Sequence, residues 1–337
     1  MPSPDAIRHR ATLTATLRAF FEVEGYVEVE TPLLSREVCV DAHIDPFSLP
    51  TASGRRFLQP SPELAMKRLL ADAAFAAACP AIWQLGKAFR DNERGSRHQP
   101  EFTMCEWYRV GDDHDAQMRF TESLVDAMHR AAVGLDADLP VPSRPYPRVA
   151  YWDAAAEAAG RPLKSLPNDE LAAAIASALG DDAPAQPPDA ADCEAWLNLL
   201  VSLRIEPMLA RHEAAFLVDY PASQAALATT RTDGPVEVAE RFELYVRDRS
   251  RTMVELANGY NELRDADEAR RRFEAANAVR RGRSDLDETE RELPLPERFL
   301  AANATLPPCS GVALGYDRLV ALLLSRDDLQ DVAVIDG

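Results

Sequence analysis

Phe89-Arg90-Asp91-Asn92-Glu93-Arg94-Gly95-Ser96-Arg97-His98-Gln99-Pro100-Glu101-Phe102-Thr103 is the stretch whose reading decides the fold. It joins two apolar-aromatic runs, residues 81–90 and 101–108, whose composition suits strands. The polar segment 91–100 between them predicts a hairpin with a long cationic loop. The first strand delivers Arg90, the loop carries Arg94, Arg97 and His98, and the return strand opens on Glu101-Phe102. Arginine suits bidentate phosphate contact, because its planar fork matches two phosphate oxygens. An aromatic ring at the return of such a loop can stack on a purine. Taken alone, the segment can also be read as a solvated charged hairpin.

Toward the N-terminus, residues 5–24 place Leu13, Leu17, Phe20 and Phe21 at helical spacing, and Gly25 ends the run. Tyr26 to Glu30 alternates apolar and acidic residues as a strand does, and Pro32 limits that strand or keeps it at an edge. Ser61-Pro62-Glu63 reads as a helix start: a hydroxyl cap, a proline in the first turn, an acid near the positive end.

Toward the C-terminus, residues 115–133, 167–179, 193–210 and 265–283 read as helices, the second capped by Asn168 or Asp169. Residues 214–219, 236–246 and 253–258 read as strands. The proline-rich acidic stretch 181–192 is expected to be a surface loop within one domain spanning 1–337. The chain closes on Gly311-Val312-Ala313-Leu314-Gly315, a small-residue strand running into an apolar helix from about Asp317. Glycines there allow close backbone approach to a ligand, and a helix N-terminus favours anions within reach of Arg318. Strands that follow one another with few helices between them favour an α+β fold with a mostly antiparallel sheet.

Composition narrows the function. With 37 Lys and Arg against 55 Asp and Glu, the net charge is −18, which leaves no global positive surface for a long nucleic acid. Only three residues are lysine: Lys67, Lys87 and Lys164. The five cysteines are scattered and lack CxxC spacing, so a disulfide framework or zinc site is not expected and a cytoplasmic setting fits. No apolar run approaches the roughly 20 residues of a membrane span, and the first ten residues lack a secretory h-region.

Three segments in order, Gly25 to Pro32, Phe89 to Thr103 and Gly311 to Arg318, resemble motifs 1, 2 and 3 of the class II aminoacyl-tRNA synthetases. The match is closest to the lysyl branch, through Ser61-Pro62-Glu63, Arg97 to Thr103, Glu106-Trp107-Tyr108 and Glu255-Leu256-Ala257-Asn258-Gly259. Motif 1 starts within the first 35 residues, with no room before it for the anticodon-binding domain of the lysyl enzymes. The chain thus resembles a stand-alone family, the elongation factor P–(R)-β-lysine ligases. Asp219 to Gln224, Ala239 to Glu243, Cys309-Ser310-Gly311 and Ala313 fit that family in particular, and lysyl-tRNA synthetases usually have glycine where Ala313 stands.

The resemblance implies ATP-dependent formation of an aminoacyl adenylate with Mg²⁺, (R)-β-lysine as substrate and elongation factor P as acceptor. It also implies a homodimer through motif 1, with neither tRNA nor membrane as partner. Arg90 would contact the α-phosphate and Arg318 the outer phosphates, these two being the catalytic pair. Phe102 would stack on adenine with Gln99 beside it, and Asp91, Asn92, Glu93, His98, Leu256 and Gly315 would complete the nucleotide site. Which of Asn92 and Glu93 faces ATP stays open. Glu63, Glu106, Tyr108 and Glu262 would hold two ammonium groups, with Ser61, Pro62 and Ala313 beside them. Glu255 is the candidate Mg²⁺ ligand, with Glu262 as a second.

Two readings rest on geometry alone. Glu255 and Glu262 are seven apart, so an unbroken strand would put them on opposite faces, and Asn258-Gly259 is the expected break. Arg247-Asp248-Arg249-Ser250-Arg251 lengthens a hairpin, either as a tolerated insertion or as a contact surface for a protein partner. Two other functions compete: a paralogue that still charges tRNA, and a non-catalytic module that kept the fold. The presence of Arg90, Glu255 and Arg318 together argues against the second.

Overall fold

The structure, a computed structural model, describes residues 1–135, 142–186, 188–189 and 192–334. Pro187, Ala190 and Ala191 of the acidic loop fall outside that set.

One nine-stranded sheet forms the floor of the molecule. Its strands run in the order Val27–Glu28, Ala81–Phe89, Glu101–Val110, Cys309–Gly315, Met253–Asn261, Val236–Arg247, Ala214–Pro221, Arg148–Ala150. The ninth, Thr230–Asp233, pairs with Val236–Arg247. The interior pairs are antiparallel, and the two edge pairs are parallel. The order makes the motifs neighbours: the Arg90 hairpin and the glycine strand pair directly, with Gly311 opposite Tyr108 and Ala313 opposite Glu106.

Apolar spacing determines how the first helix lies. Pro4–Val23 is capped by Ser3, whose Oγ accepts from the amide of Ala6 at 3.1 Å. Leu13, Leu17 and Phe21 are fully buried, and Phe21 stacks on Trp83 at 4.3 Å. Burying each such side chain is worth about 1.5–3 kcal/mol, enough to fix the helix across the hairpin strands. Gly25, at φ +77, makes the turn into the edge strand. Arg10 then reaches Asp317 Oδ1 at 2.5 Å and Thr103 Oγ1 at 3.0 Å, while Asp317 Oδ2 accepts from the Thr103 amide at 2.6 Å. The first helix and the second and third motifs meet at that junction.

Several expectations need correcting. The strand expected over Tyr26 to Glu30 is only Val27–Glu28. Neither Asn168 nor Asp169 caps its helix by a side chain; Pro167 precedes Asn168–Leu179 without a cap bond. The helix expected over 193–210 divides into Cys193–Leu200, a π turn at Val201–Ile205, and Glu206–Leu209. Pro207 sits in that last piece and has no amide to donate, which fits the irregularity. A second sheet, Leu34–Ser35, Gly54–Leu58 and Ser48–Thr51, was not foreseen.

Candidate active site

A cavity of about 790 Å³ opens above the centre of the sheet. It is lined by Ser61, Glu63, Arg90, Glu93, His98, Gln99, Phe102, Glu106, Tyr108, Glu255, Leu256, Glu262, Ala313, Gly315 and Arg318. Three expected residues, Pro62, Asp91 and Asn92, do not line it. Pro62 is buried and starts the Glu63–Leu70 helix through its carbonyl. Asp91 and Asn92 form an exposed turn, and Asn92 Nδ2 donates to the His43 carbonyl at 2.8 Å. That turn swings Glu93 back, so its Oε1 accepts from Arg90 Nη1 at 2.7 Å. Between Asn92 and Glu93, the acid in the cavity is Glu93.

At one end the cavity is cationic. Arg90 lies 5.1 Å over the Phe102 ring, and both line the cavity. Arg318 is held in place by three partners: it donates to the carbonyls of Glu255 at 3.0 Å and Arg97 at 3.2 Å, and meets His98 Nε2 at 2.6 Å. Burial and then the Arg318 charge hold His98 below its usual range, so the ring is a neutral acceptor at neutral pH. Gln99 donates to the Gly95 carbonyl at 3.0 Å and braces the loop. Arg97 pairs with Asp248, which also accepts from the Thr252 amide at 2.8 Å. The 247–251 segment therefore anchors the cationic loop.

At the other end the cavity is acidic. Glu106 is 1% exposed; its Oε1 accepts from Tyr108 Oη at 2.6 Å and its Oε2 from Ser61 Oγ at 2.9 Å. Burial, reinforced by Glu63, pushes Glu106 up to about 7. Burial also pushes Glu262 up to about 8, against the pull of Lys67. The space for these groups comes from Gly311: a Cβ there would lie 2.2 Å from the Tyr108 ring and 2.8 Å from Glu262 Oε1.

Glu255 and Glu262 reach the same cavity, but not through Asn258-Gly259, which stays paired within Met253–Asn261. Tyr245 pairs with Glu255 and Leu244 with Ala257, so Leu256 is the extra residue of a β-bulge that shifts the alternation by one. Gly259 serves another purpose, since a Cβ there would sit 2.3 Å from the Phe242 ring.

The metal expectation divides. Glu262 sits against Lys67 at the acidic end of the cavity, and Glu255 beside Arg318 at the cationic end. Glu255 is walled in, and burial followed by the Glu243 charge pushes it up to about 7. Yet 42% of its side chain still faces the cavity, so water screens part of that repulsion. Among the described residues no group of three or more His, Cys, Asp or Glu side chains is arranged to hold a metal ion. The Glu255 carboxylate beside Arg318 has the chemistry to share Mg²⁺ with phosphate oxygens, a usual arrangement for that ion.

Residues 3–335 match the family described as tRNA synthetases class II (D, K and N). The chain belongs to this family. Curated relatives at full length narrow the likeness. The chain is 38% identical to the elongation factor P–(R)-β-lysine ligase of Vibrio cholerae, over 97% of this chain and 93% of that protein. It is likewise 38% identical to the Yersinia enterocolitica ligase of that name, covering 96% and 92%. The Vibrio vulnificus ligase is 37% identical, covering 98% and 95%.

Within this class II synthetase site, sequence reasoning missed three residues. Arg241 and Glu243 form a buried ion pair on the cavity wall, with Arg241 lying 4.5 Å over the Tyr220 ring. Lys67 stands between Glu63 and Glu262. Its spacing of four from Glu63 was visible in the sequence, its burial was not. The raised carboxyls give a pH prediction. Glu106 and Glu262 can hold ammonium groups only when ionised, so amino-acid kcat/KM in a synthetase assay should rise with pH through 7 to 8 and then level. A flat profile from about pH 6 to about pH 9 would contradict it. Stability has the opposite sign: the contribution of a carboxyl raised above its usual value is full below that value of 4.5, declines as pH rises from there, and is lost by about 7 for Glu106 and about 8 for Glu262.

Proposed function

We propose that the chain uses ATP to activate (R)-β-lysine as its adenylate and passes the β-lysyl group to a lysine side chain of elongation factor P. The observation that carries this is one cavity with a guanidinium pair, Arg90 and Arg318, at one end and Glu63, Glu106 and Glu262 at the other. That arrangement suits a triphosphate facing a diamino acid. The names of the curated relatives support the same substrates.

The amino-acid carboxylate is already ionised at neutral pH, so its attack on the α-phosphorus needs no general base. Pyrophosphate leaves as the acyl–phosphate bond forms, and catalysis is alignment and charge stabilisation. Arg90 neutralises charge at the α-phosphate and Arg318 at the outer phosphates. Phe102 offers its ring to adenine. Mg²⁺, when bound, neutralises the phosphates, with Glu255 as its protein ligand. In the second step the acceptor amine attacks the acyl carbon and AMP leaves. The five unpaired cysteines suit a reducing cytoplasm, and the net charge of −18 argues against tRNA as acceptor. Among the described residues no helix is long and apolar enough to cross a membrane.

ATP–pyrophosphate exchange tests the first step: (R)-β-lysine should drive it, and exchange by neither lysine isomer would overturn the reading. Ala313 gives the specificity prediction. It pairs with Glu106 and Asn258 and lines the cavity, and its methyl would obstruct an amino group on the α-carbon. One methyl is worth about 1–3 kcal/mol, roughly tenfold to two-hundredfold. Ala313→Gly should narrow the preference for β- over α-lysine, chiefly by improving α-lysine. An unchanged ratio of kcat/KM values would clear Ala313 of that role.

The N-terminal segment gives a dimer prediction. Ile7 and Val23 on the first helix, Val27 on the edge strand after it, and Leu33 and Leu34 at the entry to the small sheet are large apolar side chains left exposed. An isologous two-fold contact through residues 10–34 would cover much of that surface. Sedimentation at micromolar concentration should report twice the 37.2 kDa chain mass, and an active monomer would refute the contact.

A further inference from the structure

The acidic end of the cavity holds a fourth charged group that no substrate contact explains. Lys67 lies one turn after Glu63 on the Glu63–Leu70 helix, and its side chain is 1% exposed. It does not line the cavity; it stands behind the carboxylates that do. Its Nζ donates to Glu63 Oε1 at 2.7 Å and lies in ion-pair range of Glu262 Oε2. Its charge also faces the Tyr108 ring, 5.9 Å away. Burial opposes the ammonium charge, but Glu262 and Glu63 override that and hold Lys67 above its usual range. It is therefore a permanent internal cation.

We propose that Lys67 is the positioning residue of the amino-acid pocket: an internal ammonium that ties Glu63 to Glu262 and sets the pocket's charge to match a substrate with two ammonium groups. This rests on the diamino-acid reading above. Once all three carboxyls are ionised, as a bound diammonium substrate requires, Glu63, Glu106 and Glu262 supply three negative charges and Lys67 one positive, leaving two. The bonding agrees with the count. Lys67 takes one oxygen of each carboxylate, Glu63 Oε1 and Glu262 Oε2, and Glu63 Oε2 has only the Cys39 thiol, 4.0 Å away. Each carboxylate is thus oriented by Lys67 while keeping acceptor capacity for a substrate N–H.

Every ionisable neighbour bears on the sign. Glu63 lies on the same helix, Glu106 and Tyr108 on the Glu101–Val110 strand, and Glu262 just past Met253–Asn261. Cys39 and Cys309 are close enough to feel the Lys67 charge, and burial keeps both thiols protonated. Without Lys67, the three carboxyls would lose their cation, and the protonation that burial already favours at Glu106 and Glu262 would persist to higher pH. A diamino acid would then have to displace that proton to bind.

The test compares wild type with Lys67→Met, Lys67→Arg and the double variant Lys67→Met/Glu262→Gln by exchange kinetics across pH. Lys67→Met should raise the amino-acid KM about tenfold or more at neutral pH, leave the ATP KM unchanged, and move the pH midpoint up by about one unit. The deficit should shrink as pH rises. Lys67→Arg should keep the wild-type midpoint. The double variant again carries two negative charges and should return the midpoint to wild type, even if affinity stays lower. A deficit equal at every pH, or a double variant shifted like the single one, would overturn the inference in favour of a packing role. Norleucine, which lacks the second ammonium, separates the two levels: wild type using it as well as lysine would sink the diamino-acid reading itself.

Discussion

Arg318→Ala is expected to cut adenylate formation by about a hundredfold, the loss of about 3 kcal/mol of transition-state stabilisation. The side chain is positioned before any substrate arrives. The Glu255 and Arg97 carbonyls and the neutral His98 ring hold it from three directions. An arginine so placed does not have to be ordered when charge develops on the leaving pyrophosphate, which is why its removal should lower kcat and not only binding. Its fixed partners belong to the strand edge and the cationic loop, not the core, so melting should hardly change. Exchange within threefold of wild type, in a protein of unchanged melting, would sink this role.

Gly311→Ala is expected to do comparable damage by a different route. An ideal Cβ would lie 2.2 and 2.3 Å from two Tyr108 ring atoms and 2.8 Å from Glu262 Oε1. None of these can yield cheaply: the Tyr108 ring is 3% exposed and Glu262 is tied to Lys67. Relieving the clash costs about 1–3 kcal/mol of stability. It also displaces two groups of the ammonium pocket, and an error of about 1 Å there can cost about a hundredfold in kcat/KM for the amino acid. Arg90 and Phe102 lie at the other end, so the ATP KM should move little. A variant with wild-type amino-acid KM would show that Tyr108 and Glu262 do not bind the substrate.

Much of this site was legible because its chemistry is written in short, contiguous segments. The Arg90 hairpin, the Ser61-Pro62-Glu63 helix start and the Gly311–Gly315 strand each announce themselves by local pattern, and the structure brings them into one cavity. What escaped reading depends on partners far away in sequence. Lys67 four residues after Glu63 looks like an ordinary helical surface pair; only the packing of Glu262 and Tyr108 over it makes it a buried charge. The bulge at Leu256 exists only relative to Tyr245 and Leu244 on the neighbouring strand, so Asn258-Gly259 was given its role. The phase of a tight turn also cannot be read from composition: Asp91 and Asn92 take the outward positions and Glu93 the inward one. The small sheet around Gly54 is built of strands of two to five residues, too short for alternation to register.

The central claim is the identity of the acceptor, and one transfer experiment addresses it. Wild-type protein is incubated with ATP, Mg²⁺ and labelled (R)-β-lysine, in parallel with elongation factor P and with tRNA, and the label is followed after adenylate formation. The expected result is ATP-dependent label on a lysine of elongation factor P, lost with Arg318→Ala, and none on tRNA. Label on tRNA with elongation factor P left unmodified would contradict the account and make the chain a tRNA-charging enzyme.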